Sequence, residues 1–396
     1  MSKIYQSIGL MSGTSLDGID LALIASDGKS IIERKFFDYA PYEKKFKDRL
    51  RELIFKTPTL EQIKLVENEL TILHANLVNN FLSKNKIASS NVDFIGFHGQ
   101  TIFHNPKKGI TWQIGNSHLL AAQTKINVIA DFRTRDVALG GQGAPLVPIY
   151  HFYLFANQPK PTAVLNIGGI SNITYFCDEN ENNIEAFDIC FGNAPFDDLI
   201  KEKFGRDFDE NGALAKSGEV DFYLAEQILK NEIFHKKPPK SFDRNDFSEI
   251  IKILKNLKIQ DALATLAYIH AKVIKINLEF FKKKPRTIFV CGGGVKNLAI
   301  MDEMKNQLNE VEIKAAKEIG LNGDSVEAEA FAFLAIRSFL NLPISFSKTT
   351  RSFENKFLKS LFVNYQKNPE TLLENDSALA LSRQDFSSCG GVFYRA

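Results

Sequence analysis

Residues 8–20 read IGLMSGTSLDGID, so Gly13, Thr14, Ser15, Leu16, Asp17, Gly18, Ile19 and Asp20 lie between two apolar runs. An ordinary hairpin needs only two turn residues. A glycine turn between strands can also gather several backbone N–H groups into a concave nest for an anion, and hydroxyls at Thr14 and Ser15 add donors. A bulged hairpin accounts for one such turn. The layout returns about one domain downstream in TAVLNIGGISNITYF, residues 162–176, with Asn166, Gly168 and Gly169 at the turn. A third element, TIFVCGGGVKN at 287–297, runs an apolar strand into Gly292, Gly293 and Gly294, with Asn297 following. Together the three can grip the phosphates of a nucleotide from both sides of a cleft, with the triple glycine flat against base or ribose. No GxxxxGK[ST] occurs, and no GxGxxG follows a strand, which sets aside the P-loop and the Rossmann fingerprint.

The acids and polar groups come next. AFDICFGN places Asp188 at the end of a short strand before Gly192 and Asn193, where a carboxylate either caps a turn or faces a cleft as a general base. Asp17 and Asp20 serve Asp-Gly turn chemistry or contact a magnesium ion on the nucleotide. His98, Gln100 and Thr101 end the buried-strand pattern VDFIGF and suit a polar ligand such as a sugar, against the alternative of a satisfied structural histidine. His98, His104 and His118 lack the spacing and the acid or thiol for a zinc site. In ADFRTRD, residues Asp131, Arg133, Arg135 and Asp136 form either a surface charge cluster or a site where Arg133 holds a carboxylate or phosphate bidentately.

The elements that must position these groups follow the apolar periodicity. Strands are expected at IYQSIGL, IDLALIA and SIIERKFFDYA, and a helix over about 59–84, with Thr59 and Gln62 as a capping box. Further helices are expected at about 194–204, 219–231, 247–256, 259–282 and 324–340, the last capped by Asp324 and Glu327. The repeated strand–glycine turn–strand layout reads as a loose duplication. The chain of 396 residues is long for a single core. Its domains are read as 1–157 with the first phosphate loop, 158–344 with the second and the adenosine motif, and a polar 345–396 tail that packs back on the first domain. A net charge of +2, from 49 basic and 47 acidic residues, gives no general attraction to nucleic acid or to a membrane surface. Cys177, Cys190, Cys291 and Cys389 form no CxxC pair. With no signal-peptide pattern and no apolar run of membrane length, a reducing cytoplasm is the expected setting.

GLMSGTSLDGID, GFHGQT, TWQIGN, ADFRTRDVALGGQGAPLVP, NIGGISNIT, FDxxxGN and CGGGVKN occur in that order. The set, over residues 5–340, resembles the anhydro-N-acetylmuramic acid kinase family, enzymes of bacterial cell-wall (peptidoglycan) recycling. The resemblance implies an α/β fold of the sugar kinase, Hsp70 and actin superfamily: two ribonuclease-H-like domains around a nucleotide cleft. It implies ATP and Mg2+ as cofactors, a small-molecule amino sugar as substrate, and a homodimer. Gly13 to Asp20 would be the first phosphate loop, Asn166 to Gly169 the second, and Gly292 to Gly294 with Asn297 the adenosine side. Asp17 would serve as a metal contact. Asp188 matches the base that activates water on the anomeric carbon of 1,6-anhydro-N-acetylmuramic acid, while the released O6 takes the γ-phosphoryl group, giving N-acetylmuramic acid 6-phosphate and ADP. His98, Gln100, Thr101, Asn116, Asp131 and Arg133 would hold the sugar and its lactyl carboxylate.

Three places depart from the family pattern, one of them the C-terminal tail, where an extra polar stretch before CGGVFY replaces the usual short ending. FDICFGN stands where FDTGPGN is usual, which sets the bulkier Ile189, Cys190 and Phe191 beside Asp188, and PPKSFDRND stands for PPKSTGRE, keeping Lys240, Ser241 and Arg244. Two other readings stay open at this level. One is a conventional kinase of the same fold acting on an intact sugar. The other is a non-enzymatic nucleotide switch of the actin or Hsp70 kind.

Overall fold

The computed structural model describes residues 3–30, 32–321, 323–352 and 392–394. In chain order the first stretch comprises β1 (Tyr5–Ser12), β2 (Gly18–Ser26), β3 (Ile32–Pro41), α1 (Lys44–Phe55), α2 (Leu60–Lys84), β4 (Phe94–Asn105), β5 (Ile110–Ile114), α3 (Ser117–Thr124), β6 (Asn127–Ala130), α4 (Thr134–Ala138) and α5 (Pro148–Leu154). Then come β7 (Thr162–Ile167), β8 (Ile170–Phe176), β9 (Glu185–Phe191), α6 (Ala194–Phe204), α7 (Ala213–Lys216), α8 (Phe222–Leu229), α9 (Ser248–Leu254), α10 (Ile259–Leu278), β10 (Thr287–Cys291), α11 (Leu298–Gln307) and β11 (Glu312–Ala315). The chain closes with α12 (Val326–Phe339), α13 (Ser347–Thr350) and β12 (Val392–Tyr394).

Two compact units result, one from residues 1–154 with 325–396 and one from 155–324. The first unit's sheet has the order β12-β6-β4-β1-β2-β3, with β5 on β4. β1, β2 and β3 run antiparallel, β4 lies parallel to β1, and β6 parallel to β4. The second sheet, β11-β10-β7-β8-β9, repeats the scheme: an antiparallel β7-β8-β9 meander, then β10 parallel to β7 and β11 parallel to β10. A meander of three strands followed by two parallel crossover strands is the ribonuclease-H-like topology, and the chain contains it twice. The two glycine turns occupy the same place in each copy, between the first and second strands of the meander.

The local signals act as the periodicity demands. The Thr59 hydroxyl accepts from the Gln62 N–H at 3.2 Å and the Gln62 side chain accepts from the Thr59 N–H at 2.8 Å, a closed capping box at the start of α2. Behind it Ile63, Val66, Leu70, Leu77 and Phe81 pack into the first core beneath β1, β2 and β4. In the second unit α10 is buried around most of its circumference, which its nearly continuous apolar sequence requires.

Three sequence expectations are corrected here. The segment 325–344, expected in the second domain, packs with the first, where α12 lies against the sheet of β1 and β4. The N-cap position of α12 belongs to Ser325 and not to Asp324, and Glu327 lies within the first turn. The Ser325 hydroxyl turns to Glu329 at 2.8 Å and makes no cap. Glu329 in turn accepts from Arg34 and from the Tyr150 hydroxyl, at 2.8 and 2.7 Å, which fastens the helix start to β3 and α5. Asp188 lies inside β9 rather than at the end of a strand, because β9 continues to Phe191. Most of the 345–396 tail, residues 353–391, lies outside the described residues; its 392–394 segment forms β12, antiparallel to β6. Among the described residues no helix is long and apolar enough to cross a membrane.

Candidate active site

The first unit carries a loop at residues 13–17. Gly13 accepts through its carbonyl from the Leu16 N–H at 3.1 Å, and Leu16, at φ 59°, turns its side chain into the core. Among the described residues a Cβ at Gly13 would meet nothing closer than 3.6 Å, which leaves room for a ligand to approach the loop. Gly18, Ile19 and Asp20 belong to β2 and not to the turn. Gly18 serves packing, since a Cβ there would sit 2.3 Å from the Ala40 carbonyl on β3. Ile19 is a core residue, and Asp20 pairs in register with Met11 and Tyr39. Asp17 is 64% exposed and ion-paired to Lys47 of α1 at 2.8 Å. No group of three His, Cys, Asp or Glu able to hold a metal occurs among the described residues. Magnesium needs only one or two carboxylates beside phosphate oxygens and water, and an exposed Asp17 fits that requirement.

The end of β4 supports this loop. Gln100, buried, donates through Nε2 to the Gly13 carbonyl at 3.1 Å, and the Ser12 hydroxyl donates to the Gly99 carbonyl at 3.1 Å. Gln100 therefore shapes the loop, and its Oε1 has no partner among the described residues. Gln100→Leu is expected to weaken ADP binding about 10-fold by freeing the loop carbonyl, read by isothermal titration; unchanged affinity would show that the tether is dispensable.

His98 is buried, and its environment fixes its tautomer. Nδ1–H donates to the Gly99 carbonyl at 2.7 Å, leaving Nε2 to accept from Arg133 Nε at 3.0 Å. Burial, then the Arg133 charge, holds its pKa well below the usual histidine value, so the ring is neutral. Both ring nitrogens are thus engaged within the protein, and His98 acts by orienting Arg133. Arg133 also donates to the Gly143 carbonyl at 2.6 Å. Burial pulls its pKa down to about 10, opposed by Glu327 and Asp136, and it remains cationic at neutral pH. Glu327, in the first turn of α12, is thus a charge partner of Arg133; its helical position had suggested only a cap. Thr101 accepts from Gln113 at 3.2 Å, Asn116 caps α3 by accepting from the Leu119 N–H at 3.0 Å, and Asp131 is exposed at φ 58°.

Asp136, read from sequence within a charge cluster, is fully buried. It accepts from the Gly143 N–H at 2.7 Å and from the Ser345 and Thr350 hydroxyls at 2.6 Å each. It ties the GGQG loop to the segment after α12, a connection between residues some two hundred positions apart that no local pattern announces.

In the second unit the turn after β7 is held from behind. Gly192 and Asn193 donate to the carbonyls of Gly169 and Gly168, at 2.9 and 2.7 Å. Nothing stands within 3.7 Å of a Cβ at Gly168 or within 3.8 Å at Gly169. Both line a cavity of about 370 Å³ with Gly293, Asn193, Lys201, Arg244 and the acids Asp197, Asp198 and Asp207. Asp197 is raised to about 6, chiefly by burial, against an Asn193 hydrogen bond that lowers it. Of the triple glycine, Gly293 is the open position. Gly292, at φ 82°, and Gly294 lie so close to Asn166 and Ile167 that a Cβ would come within 2.4 Å of the Asn166 Oδ1 and 2.2 Å of the Ile167 side chain. Asn297 caps α11, accepting from the Ala299 and Ile300 N–H groups at 3.1 and 3.3 Å. Lys201 is paired with Asp207 at 3.5 Å and Arg244 with Asp198, so what the cavity offers a phosphate is the open glycine backbone.

Asp188 projects from a bulge. Ser171 pairs with Cys190 and Asn172 with Asp188, so Ile189 is the extra residue that re-aims the strand. Its Oδ2 accepts from the Phe242 N–H at 2.9 Å, and its own N–H donates to the Lys240 carbonyl at 3.0 Å. Burial raises its pKa to about 6, while the Phe242 hydrogen bond and the Lys240 charge act in the lowering direction. A carboxylate poised near the working pH is suited to proton abstraction. Ile189, Cys190 and Phe191 point into the second core, where Phe191 packs on Phe234 and Phe247, and so leave the Asp188 carboxylate its own surroundings. The sequence singles out Asp188 and the loops as candidates and gives Lys240 no role.

Comparison with known proteins matches residues 5–364 to the family model described as anhydro-N-acetylmuramic acid kinase. A protein of that name from Zymomonas mobilis is 43% identical over 353 residues, covering 87% of this chain and 96% of its own. One from Methylorubrum populi is 41% identical over 364 residues, covering 87% and 95%. A solved structure, the activator of 2-hydroxyisocaproyl-CoA dehydratase from Clostridium difficile with bound ADPNP, is similar at 14% identity and a TM-score of 0.42, covering 85% of this chain and 96% of that one.

Proposed function

Because the chain belongs to the anhydro-N-acetylmuramic acid kinase family, we propose that it opens 1,6-anhydro-N-acetylmuramic acid with water and phosphorylates O6 from ATP. The products are N-acetylmuramic acid 6-phosphate and ADP, and the setting is peptidoglycan recycling. The observation that best supports this chemistry is Asp188, set on a bulge, held by the Phe242 N–H and raised to about 6.

In this reading Asp188 takes a proton from water as the oxygen bonds to the anomeric carbon. The bond from that carbon to O6 breaks, and O6 attacks the γ-phosphorus while ADP leaves. No separate leaving-group acid is needed, because the electron pair freed on O6 goes to phosphorus. In the first unit the loop Gly13–Asp17 binds phosphate oxygens, and Asp17 is the residue that would hold Mg2+, whose role is to neutralise charge on ATP. There too Arg133, oriented by His98, meets the lactyl carboxylate, with Thr101, Asn116 and Asp131 along the sugar. In the second unit Gly168, Gly169 and Gly293 line the nucleotide, with Asn166 and Asn297 supporting them. The working form is proposed as a cytoplasmic homodimer.

The decisive experiment is turnover in oxygen-18 water with mass spectrometry of the sugar phosphate, sampled before the anomeric hydroxyl exchanges. One heavy oxygen in the product is expected. ADP release with intact sugars alone would establish a conventional kinase instead, and tight ATP binding without sugar-dependent ADP release would establish a nucleotide switch.

A further inference from the structure

We infer that Lys240 is a positioning residue for the base, its buried ammonium supplying the charge that keeps Asp188 ionised and ready to take a proton from water. The inference rests on the reading of Asp188 as the base. Lys240 is 8% exposed, and its Nζ has no hydrogen-bond partner among the described residues. The ammonium lies over three rings, 5.9 Å from Phe187, 5.4 Å from Phe242 and 5.7 Å from Phe280. An aromatic cage stabilises a cation through the ring faces without taking its protons into hydrogen bonds. A buried charge without a direct ion pair is costly, and sequences keep such groups where the field they produce is used.

The backbone places that field on Asp188. The Lys240 carbonyl accepts from the Asp188 N–H, and two residues on, the Phe242 N–H donates to the carboxylate. One short segment thus fixes both ends of Asp188, and the residue that makes the first contact is the one that bears the ammonium. The ionisable groups that face Lys240 are Asp188 and Cys190 on β9 and Lys236 on its own segment. Burial pushes the Cys190 thiol far above its usual range, so it adds no charge at neutral pH. Burial, with a smaller contribution from Lys236, favours the neutral amine, and Lys240 is lowered to about 8. With Asp188 raised to about 6, the pair carboxylate–ammonium is the populated form between these two values. In the reaction Asp188 gains the proton that water loses on bonding to the anomeric carbon, and afterwards releases it to solvent. Lys240 keeps its protons throughout.

The test is the pH profile of kcat/KM with 1,6-anhydro-N-acetylmuramic acid and ATP. The unmodified enzyme is expected to lose activity below about 6 and to keep it above, since the carboxylate is ionised there whether or not the amine is charged. Lys240→Met, which removes the charge, is expected to move the acid limb upward by about 1 unit. Lys240→Arg, which keeps the charge, is expected to leave the acid limb in place. A merely structural lysine would lower the rate at every pH in Lys240→Met and leave the acid limb where it was, and that result overturns the inference. If Lys240→Met does not fold, Lys240→Gln carries the same comparison against Lys240→Arg. Asp188→Asn, run alongside, separates the two readings. Full turnover in that variant removes Asp188 as base, whereas an inactive Asp188→Asn with an unmoved acid limb in the uncharged lysine variant removes only Lys240.

Discussion

Asp188→Asn is expected to lower kcat about 1000-fold, the range a positioned general base commands, while ADP binding stays unchanged. The substitution keeps an oxygen to accept from the Phe242 N–H and keeps the volume, so it removes the basic site and little else. It carries a second signature in stability. Asp188 has a folded pKa of about 6 against an ordinary value of 3.8. An acid whose pKa is raised by folding binds its proton more tightly in the folded state. Stability therefore falls as pH climbs from about 4 through about 6, and the full penalty is present above that. The penalty is on the order of 3 kcal/mol at neutral pH. Asp188→Asn should thus melt at a higher temperature than the parent at pH 7.5, and the gap should shrink toward pH 4.5. An inactive variant with no such pH-dependent gap would mean that the carboxylate is not held in a disfavoured charged state, and its poise as a base would need another origin.

That trade of stability for a reactive carboxylate also marks where sequence reading stops. The two meanders, the glycine turns and the long α2 were legible because each depends on residues within one turn or one strand of one another. Thr59 and Gln62 are such a pair, and so are Gly168 and Gly169. The duplication was legible because the same strand–turn–strand pattern occurs twice. The surroundings of Asp188 were not, because the Phe242 N–H that holds its carboxylate is 54 residues away in the chain. The bulge at Ile189 depends on register with β8, which alternation within FDICFGN does not encode. His98 illustrates the same limit. Its type suggested a ligand to the sugar, and only the three-dimensional structure shows both nitrogens taken, one by a carbonyl and one by Arg133. The buried Asp136 is the reverse case, a charge in a charged stretch with two of its partners, Ser345 and Thr350, beyond residue 340.

Glycines divide along the same line, and the division yields the largest expected effect on stability. Gly9 looked like an unremarkable small residue inside IYQSIGL, yet α12 rests its backbone directly on it. A Cβ at Gly9 would stand 1.8 Å from the Ala328 carbonyl oxygen and 2.5 Å from the Ala332 nitrogen; Gly96 on β4 meets the Phe331 carbonyl at 2.1 Å. Both neighbours are main chain in the middle of a helix, so neither can rotate away. The facing side of α12 is built from Ala328, Ala332 and Ala335, all fully buried, so the strand and the helix have been reduced together to allow close approach. Gly9→Ala must push α12 off the sheet, and the helix start is fastened elsewhere through Glu329 to Arg34 and Tyr150. The expected cost is about 3 kcal/mol or more, from overpacking that the site cannot relax. Urea unfolding should show a lower midpoint, set against Gly109→Ala as control. Gly109 has a positive φ of 69°, which Gly9 does not, but nothing among the described residues stands within 4 Å of a Cβ there, so its substitution should cost only the backbone strain of about 1 kcal/mol. Equal losses in the two variants would refute the close-approach argument. A larger loss at Gly9 should also bring a loss of turnover in the surviving folded fraction, because α12 carries Glu327 to Arg133, and a helix displaced by a methyl group carries its carboxylate with it.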